Sequence, residues 1–179
     1  MKIIKKILLF IVLLIALVLI AALFIKKDYT VVREVIINKQ KQEVFNYIKS
    51  LKNQDNYSKW AKMDVNAKKE YSGTDGTVGF VSAWDSQNDQ VGKGSQTIKK
   101  ITEGERIDID LKFLKPFESN ALAYMTTDSV AANQTKVKWG FEGSMPYPMN
   151  IMKLVMNMEK MIGDDLQTGL DNLKTVLEK

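Results

Sequence analysis

The stretch RIDIDLKF, Arg106–Phe113, decides how this chain is read. Ile107, Ile109, Leu111 and Phe113 alternate with Asp108, Asp110 and Lys112. A period of two puts the apolar set on one face of a strand and the charged set on the other, which is the pattern of an antiparallel sheet covered on one side only. The neighbouring sequence repeats it. On Thr135–Glu142, Val137, Trp139 and Phe141 share a face opposite Lys136, Lys138 and Glu142. On Thr77–Asp85, Val78, Phe80, Ser82 and Trp84 share a face. Asp64–Ser72, Gly94–Ile101 and Asn120–Thr127 read as further strands, separated by turn residues at Gly73–Gly76, Gln87–Asp89 and Thr102–Glu105. Upstream, Tyr29–Asn38 is rich in Val and Ile and reads as a first strand.

Helical periodicity appears at the two ends of this meander. Asn38 is placed as an N-cap for a helix over Lys39–Lys52, with Val44, Phe45, Ile48 and Leu51 on one face. Asn53–Trp60 reads as a short helix or turn. Met145-Pro146-Tyr147-Pro148 stops the sheet, and the spacing predicts one long helix over Met149–Leu177 with a stripe through Ile151, Val155, Met158, Ile162, Leu166, Leu170, Leu173 and Leu177. The order is one strand, one or two helices, about six antiparallel strands and a C-terminal helix. That is an α+β domain.

Before it lies Ile7–Ile25, 19 residues without a charge, Gly or Pro, flanked by Lys5, Lys6, Lys26 and Lys27. As a helix rising about 1.5 Å per residue it matches the ~30 Å hydrocarbon core of a bilayer. A cleaved signal peptide is the competing reading, but its apolar core is shorter and ends at a small-residue site, whereas Ala21-Ala22 is followed by further apolar residues. The expected division is therefore an N-terminal transmembrane anchor over 1–27 and a domain over 28–179. The lysine distribution leans toward an inside N-terminus, with the domain outside the cytoplasm.

Composition excludes several functions. Of 26 basic residues, Lys2, Lys5, Lys6, Lys26 and Lys27 flank the apolar run; the remainder of the chain holds 21 basic against 21 acidic residues. The net charge of +5 belongs to the N-terminal segment, and no basic stripe suited to nucleic acid remains. There is no Cys and no His. Disulfides, thiol nucleophiles, His or Cys zinc sites and a Ser-His-Asp triad are excluded. The glycines of Gly73–Gly79 lack the Lys-Ser/Thr of a phosphate loop. No metal or cofactor is expected, and the sequence leaves the oligomeric state open.

Four segments carry a family resemblance: VIINKQKQEVFNYIKSLKNQDNYSKW (Val35–Trp60), GTVGFVSAW (Gly76–Trp84), TKVKWGFEG (Thr135–Gly143) and GLDNLKTVLE (Gly169–Glu178). Their order over residues 29–179 resembles the START-like superfamily, also called SRPBCC or polyketide cyclase/lipid-transport proteins. The resemblance implies the helix-grip fold, in which a curved antiparallel sheet of about seven strands wraps a long C-terminal helix and leaves a cavity. It also implies a hydrophobic small molecule or lipid as partner. The family shares no catalytic residue, so the resemblance implies binding rather than a reaction.

Alternation then names the cavity candidates: Phe80, Trp84, Ile109, Leu111, Phe113, Tyr124, Trp139 and Phe141 on the sheet, with Met152, Val155, Met156 and Met158 on the helix. Ordinary core packing competes for each one singly. The methionines strengthen the group, because six of the nine lie within Met145–Met161 and leave that stretch apolar nearly all round. Gly163 reads either as a close approach of strand or ligand or as a helix break, and Asp164 and Asp165 as charges near a restarted helix rather than metal ligands. Arg106, Glu142 and Tyr124 are the polar residues to inspect for acid–base chemistry at the cavity rim. The leading expectation is a membrane-anchored domain that binds an apolar ligand without turning it over. The alternatives are a cofactor-independent cyclase or hydrolase and a protein-interaction module.

Overall fold

The computed structural model describes residues 2–179; Met1, where the expected N-terminal segment begins, lies outside the described residues. Helix α1 (Lys2–Leu23) leads into β1 (Asp28–Ile37) and α2 (Lys41–Lys49), then a 3₁₀ turn (Leu51–Asn53) and two short helices, α3 (Gln54–Tyr57) and α4 (Lys59–Met63). Six strands follow: β2 (Lys68–Ser72), β3 (Val81–Asp85), β4 (Lys93–Thr102), β5 (Arg106–Lys115), β6 (Ser119–Ala131) and β7 (Gln134–Ser144). A 3₁₀ segment (Met149–Leu154) and α5 (Met158–Leu177) complete the chain.

The seven strands form one antiparallel sheet in the order β1-β7-β6-β5-β4-β3-β2. Every neighbour except β1–β7 is adjacent in sequence, so the sheet is a meander closed by the first strand. Helix α5 packs on β1 and β7, and α3 and α4 lie beside it. Leu166, Leu170, Leu173 and Leu177 of α5 join Val44, Phe45 and Ile48 of α2 and the inward sheet residues in one core. The alternation of Arg106–Phe113 holds: Ile107 and Ile109 are buried and face inward.

Three local expectations fail for identifiable reasons. Asn38 is not the N-cap of α2. That position is Gln40, while Asn38 donates its backbone N–H to Glu178 and accepts from Gln134 Nε2. The strand expected from Thr77 begins only at Val81, because Gly73, Gly76 and Gly79 all take positive φ and hold a tight loop open to that point. The C-terminal helix does not run from Met149. It starts at Met158, where Asn157 Oδ1 accepts the N–H of Lys160 and Glu159 sits in the first turn. The break therefore lies before Asn157, and Gly163 is inside an unbroken helix. A Cβ there would collide with the Arg33 guanidinium, which crosses from β1 to bond Glu159 Oε1 (2.5 Å) and Glu159 O (3.0 Å). Gly163 is thus a close approach of a strand. Asp164 and Asp165 pair with Lys160 and Lys59 instead of marking a restart.

The junction of α1 with the domain is built by the 3₁₀ segment. Asn150, buried, donates from Nδ2 to Ala22 O (2.7 Å) and Ile25 O (2.8 Å). These are carbonyls at and just beyond the C-terminal end of α1, where the helix leaves its acceptors under-used. Lys153 Nζ donates to Lys26 O and Asp28 O, and Met145 N to Lys27 O. Upstream of this clasp, Ile3–Leu23 is long and apolar enough to cross a membrane, and only 6% of it is covered by the rest of the chain.

Candidate functional site

Register fixes which end of the sheet is open. The start of β1, the end of β7, the start of β6, the end of β5, the start of β4, the end of β3 and the start of β2 all lie at one end. This is also the end at which α1 joins. Between the inner face of the sheet here and helices α3, α4 and α5 is a cavity of about 350 Å³.

Its walls follow from the strand rungs. Ile109 and Ala123 face each other across β5 and β6 and form the inner floor. One step toward the open end, Ser82, Gln96 and Leu111 align across β3, β4 and β5. The next step carries Trp84, Gly94 and Phe113. Trp84 meets Phe113 edge-on at 6.1 Å and its Nε1 donates to Val91 O (3.1 Å). Gly94 is required beneath it, since a Cβ would sit 2.7 Å from the indole. Opposite, Trp139 lies on Gly169 of α5 and meets Tyr57 and Trp60 edge-on at 5.8 and 6.2 Å. Phe141, Ile162 and Leu166 complete that wall. Small residues of the helical cover, Ser58, Ala61 and Ala67, leave the space unfilled. Val91, Lys115 and Pro116 stand at the mouth.

Trp84, Ile109, Leu111, Phe113, Trp139 and Phe141 thus come together, and the structure separates the others from them. Phe80 is in the core, stacked on Tyr71 at 6.1 Å, on the rung of Ile98 and Ile109 but outside the cavity lining. Tyr124 is on the outer face of the sheet, because the inward parity of β6 belongs to Ala123 and Met125. Its ring lies over Gly140 and under the Arg106 guanidinium at 4.0 Å. Arg106 itself is bound to Asp108, whose carboxylate holds the guanidinium pKa above its ordinary value. With Glu142 they line a separate outer depression of about 450 Å³ rather than the cavity rim. Met152, Val155, Met156 and Met158 do not line the cavity either. The first three precede the N-cap of α5 and lie in or after the 3₁₀ segment, and Val155 is 78% exposed.

The polar lining is what alternation missed. Gln96 Nε2 donates to Gln54 Oε1 at 3.0 Å, joining β4 to α3 across the cavity. Ser82 flanks Gln96 on the neighbouring strand. The signal was present: Gln96 and Ser82 each occupy an inward position between apolar or small inward residues. Of the charged lining groups, Lys69 pairs with Asp55 (2.6 Å) and Asp64 accepts from the Ser86 hydroxyl (2.5 Å), while Asp89 and Lys115 lie toward the open end. Beside the wall, burial pushes the Tyr57 phenol pKa well above its ordinary value. Among the described residues no cluster of His, Cys, Asp or Glu could hold a metal ion.

No family model and no curated protein matches this sequence. Solved structures do. Norcoclaurine synthase from Thalictrum flavum, in complex with dopamine and hydroxybenzaldehyde, aligns over 85% of this chain and 87% of its own at 11% identity, with a TM-score of 0.63. The chain has the START-like helix-grip fold. The Aha1 dimer from Colwellia psychrerythraea shares it at 12% identity, TM-score 0.57, over 84% of this chain and 96% of that one. So does a protein from Nitrosospira multiformis, at 17% identity, TM-score 0.57, over 82% and 94%. At these identities the likeness concerns the helix-grip architecture alone.

Proposed function

We propose that this protein holds a hydrophobic small molecule or single-chain lipid in the cavity between sheet and α5, at a membrane to which α1 anchors it, without turning the ligand over. The observation that carries this is the cavity itself: a lining whose exposed surface is mostly aromatic and aliphatic, opening at the end of the sheet from which an apolar helix departs. Ligand sites of this kind occupy roughly 300–1,000 Å³. The turns around the mouth support a bilayer-facing position, since they carry the exposed side chains Val65 and Phe117, 73% and 82% accessible. The norcoclaurine synthase structure, a complex with dopamine and hydroxybenzaldehyde, supports small-molecule binding by a protein of this fold. Anchoring raises the effective concentration of the cavity at the bilayer relative to a freely diffusing carrier.

An acid–base enzyme on this fold needs a desolvated carboxylate near the ligand. Asp55 and Asp89 are exposed and Asp64 is bonded to Ser86, so binding is the reading adopted. Native mass spectrometry of the full chain, extracted from membranes in a mild detergent, is the test. An apolar metabolite should co-purify with the protein and be displaced by added apolar ligand. Recovery of the bare chain, with no uptake when apolar ligands are added, would sink the reading.

A further inference from the structure

We infer that the ligand is an amphiphile with an uncharged hydrogen-bonding head, bound head-inward, with the head at the Gln54–Gln96 amide pair and Ser82 and the tail running past Trp84 and Phe113 to the mouth. This rests on the proposal that the cavity takes a ligand. The direction comes from the rungs. Ser82 and Gln96 stand one rung further from the open end than Trp84, Gly94 and Phe113. A polar set therefore lies on the inner side of the aromatic collar, in addition to Asp89, Gln90 and Lys115 on the mouth side, so a head group finds hydrogen-bond partners away from water.

The head chemistry comes from the amides. A side-chain amide offers two N–H donors and a carbonyl acceptor. The bond between Gln96 Nε2 and Gln54 Oε1 is the one hydrogen bond either side chain makes among the described residues. It leaves the Gln54 amino group and the Gln96 carbonyl free, a donor beside an acceptor, and the Ser82 hydroxyl next to them. A hydroxyl or ketone head answers such a set. A pure hydrocarbon would strip water from it and return no bond. A charged head at the amide rung meets no counter-charge on that rung, because Lys69 is paired with Asp55, Asp64 bonds Ser86 just past the end of β3, and Lys115 stands at the mouth. Burying that charge is then unfavourable. The volume, at the small end of the range for ligand sites, suits one chain and excludes the two tails of a membrane phospholipid.

All three tryptophans of the chain, Trp60, Trp84 and Trp139, line the cavity, so their fluorescence reports occupancy directly. The full chain in phosphatidylcholine nanodiscs should be titrated with 1-dodecanol, dodecane and dodecanoate, compared at equal mole fraction in the bilayer. The buffer should be at about pH 9, well above the carboxylate range. Dodecanol should bind at least about five-fold more tightly than either of the others, the margin of one good hydrogen bond. Gln96→Leu should erase that margin while leaving dodecane binding in place, and the wild-type comparison stands even without the variant. If dodecane or dodecanoate matches dodecanol, or Gln96→Leu keeps the preference, the inference is wrong and ligand binding survives it. If none of the three changes the fluorescence, both fall.

Discussion

Under α2, Val44, Phe45 and Ile48 meet Ile98, Ile107 and Val137, and none of the six retains accessible surface. At the other end of the same sheet face, Trp84, Phe113 and Phe141 remain partly exposed around a cavity of about 350 Å³. Both ends present large apolar residues inward with period two, and the open end adds Ser82, Gln96, Gly94 and Ala123 among them. The cover differs. A nine-residue amphipathic helix with branched and aromatic side chains closes one end, whereas four- and five-residue helices, with Ser58 between them and Ala61 in the second, roof the other. Cavity and core are therefore separated mainly by the helices laid on the sheet, and the void comes from the small residues around α3 and α4 together with Gly94 and Ala123 on the sheet.

The strongest way to break this comparison is at the filled end. Phe45→Ala should cost about 3–5 kcal/mol by urea denaturation, the range for deleting a fully buried aromatic. A loss below about 1 kcal/mol would show that this end is no tighter than the other. At the open end the converse holds. Ala61→Phe adds a ring where space exists, so stability should change by less than about 1 kcal/mol rather than the 1–3 expected of overpacking a filled core. Ligand-induced tryptophan fluorescence should weaken at least about ten-fold, because the added ring occupies ligand volume. Large destabilisation by Ala61→Phe would mean that the roof is already packed. Gly94→Ala sits between these cases. Its Cβ would press the Trp84 indole at 2.7 Å and the Lys112 carbonyl, so a loss of about 1–3 kcal/mol is expected, with an altered tryptophan emission as Trp84 leaves its bond to Val91.

The smallest effect at neutral pH belongs to Tyr57, at the boundary of the two regions. Burial raises its folded-state pKa. The unfolded chain releases this proton above about pH 10, while the folded chain keeps it. The contribution is therefore fully present below about pH 10 and declines as pH rises past it, by up to about 1.4 kcal/mol per pH unit. Tyr57→Phe gives up a hydroxyl whose recorded partner is Met125 Sδ at 3.6 Å. It should leave stability near neutrality almost unchanged and flatten the alkaline decline measured by denaturant titration. An unchanged alkaline slope would show that other groups set it.

The sheet was legible in the sequence because its signal is local. Ile107, Ile109, Leu111 and Phe113 reveal their face in eight residues, and Val137, Trp139 and Phe141 do the same. What alternation lacks is the third dimension. It states that Tyr124 and Ala123 face opposite ways but not which is inward, and the larger ring was the natural choice. The structure puts the alanine inside, because the concave side of a ligand cavity needs small residues as well as large ones. The methionines misled differently. Their continuous apolar pattern ran through Asn157, and an N-cap is a single polar residue easily outweighed by a stripe. Alternation places Ser82 on the face of Phe80 and Trp84 but does not single it out, or Gln96, as part of a site, although a polar side chain at an inward strand position marks a place that packing alone does not explain.

The Asn150 clasp has a mechanical consequence. Two hydrogen bonds from one buried amide, reinforced by Lys153, take away the swivel that a helix-to-strand linker would otherwise have. With α1 in a bilayer, the domain cannot turn independently of it. The tilt of one helix then sets the height and angle of the cavity mouth above the lipid, and a change in bilayer thickness becomes a change in where the mouth points.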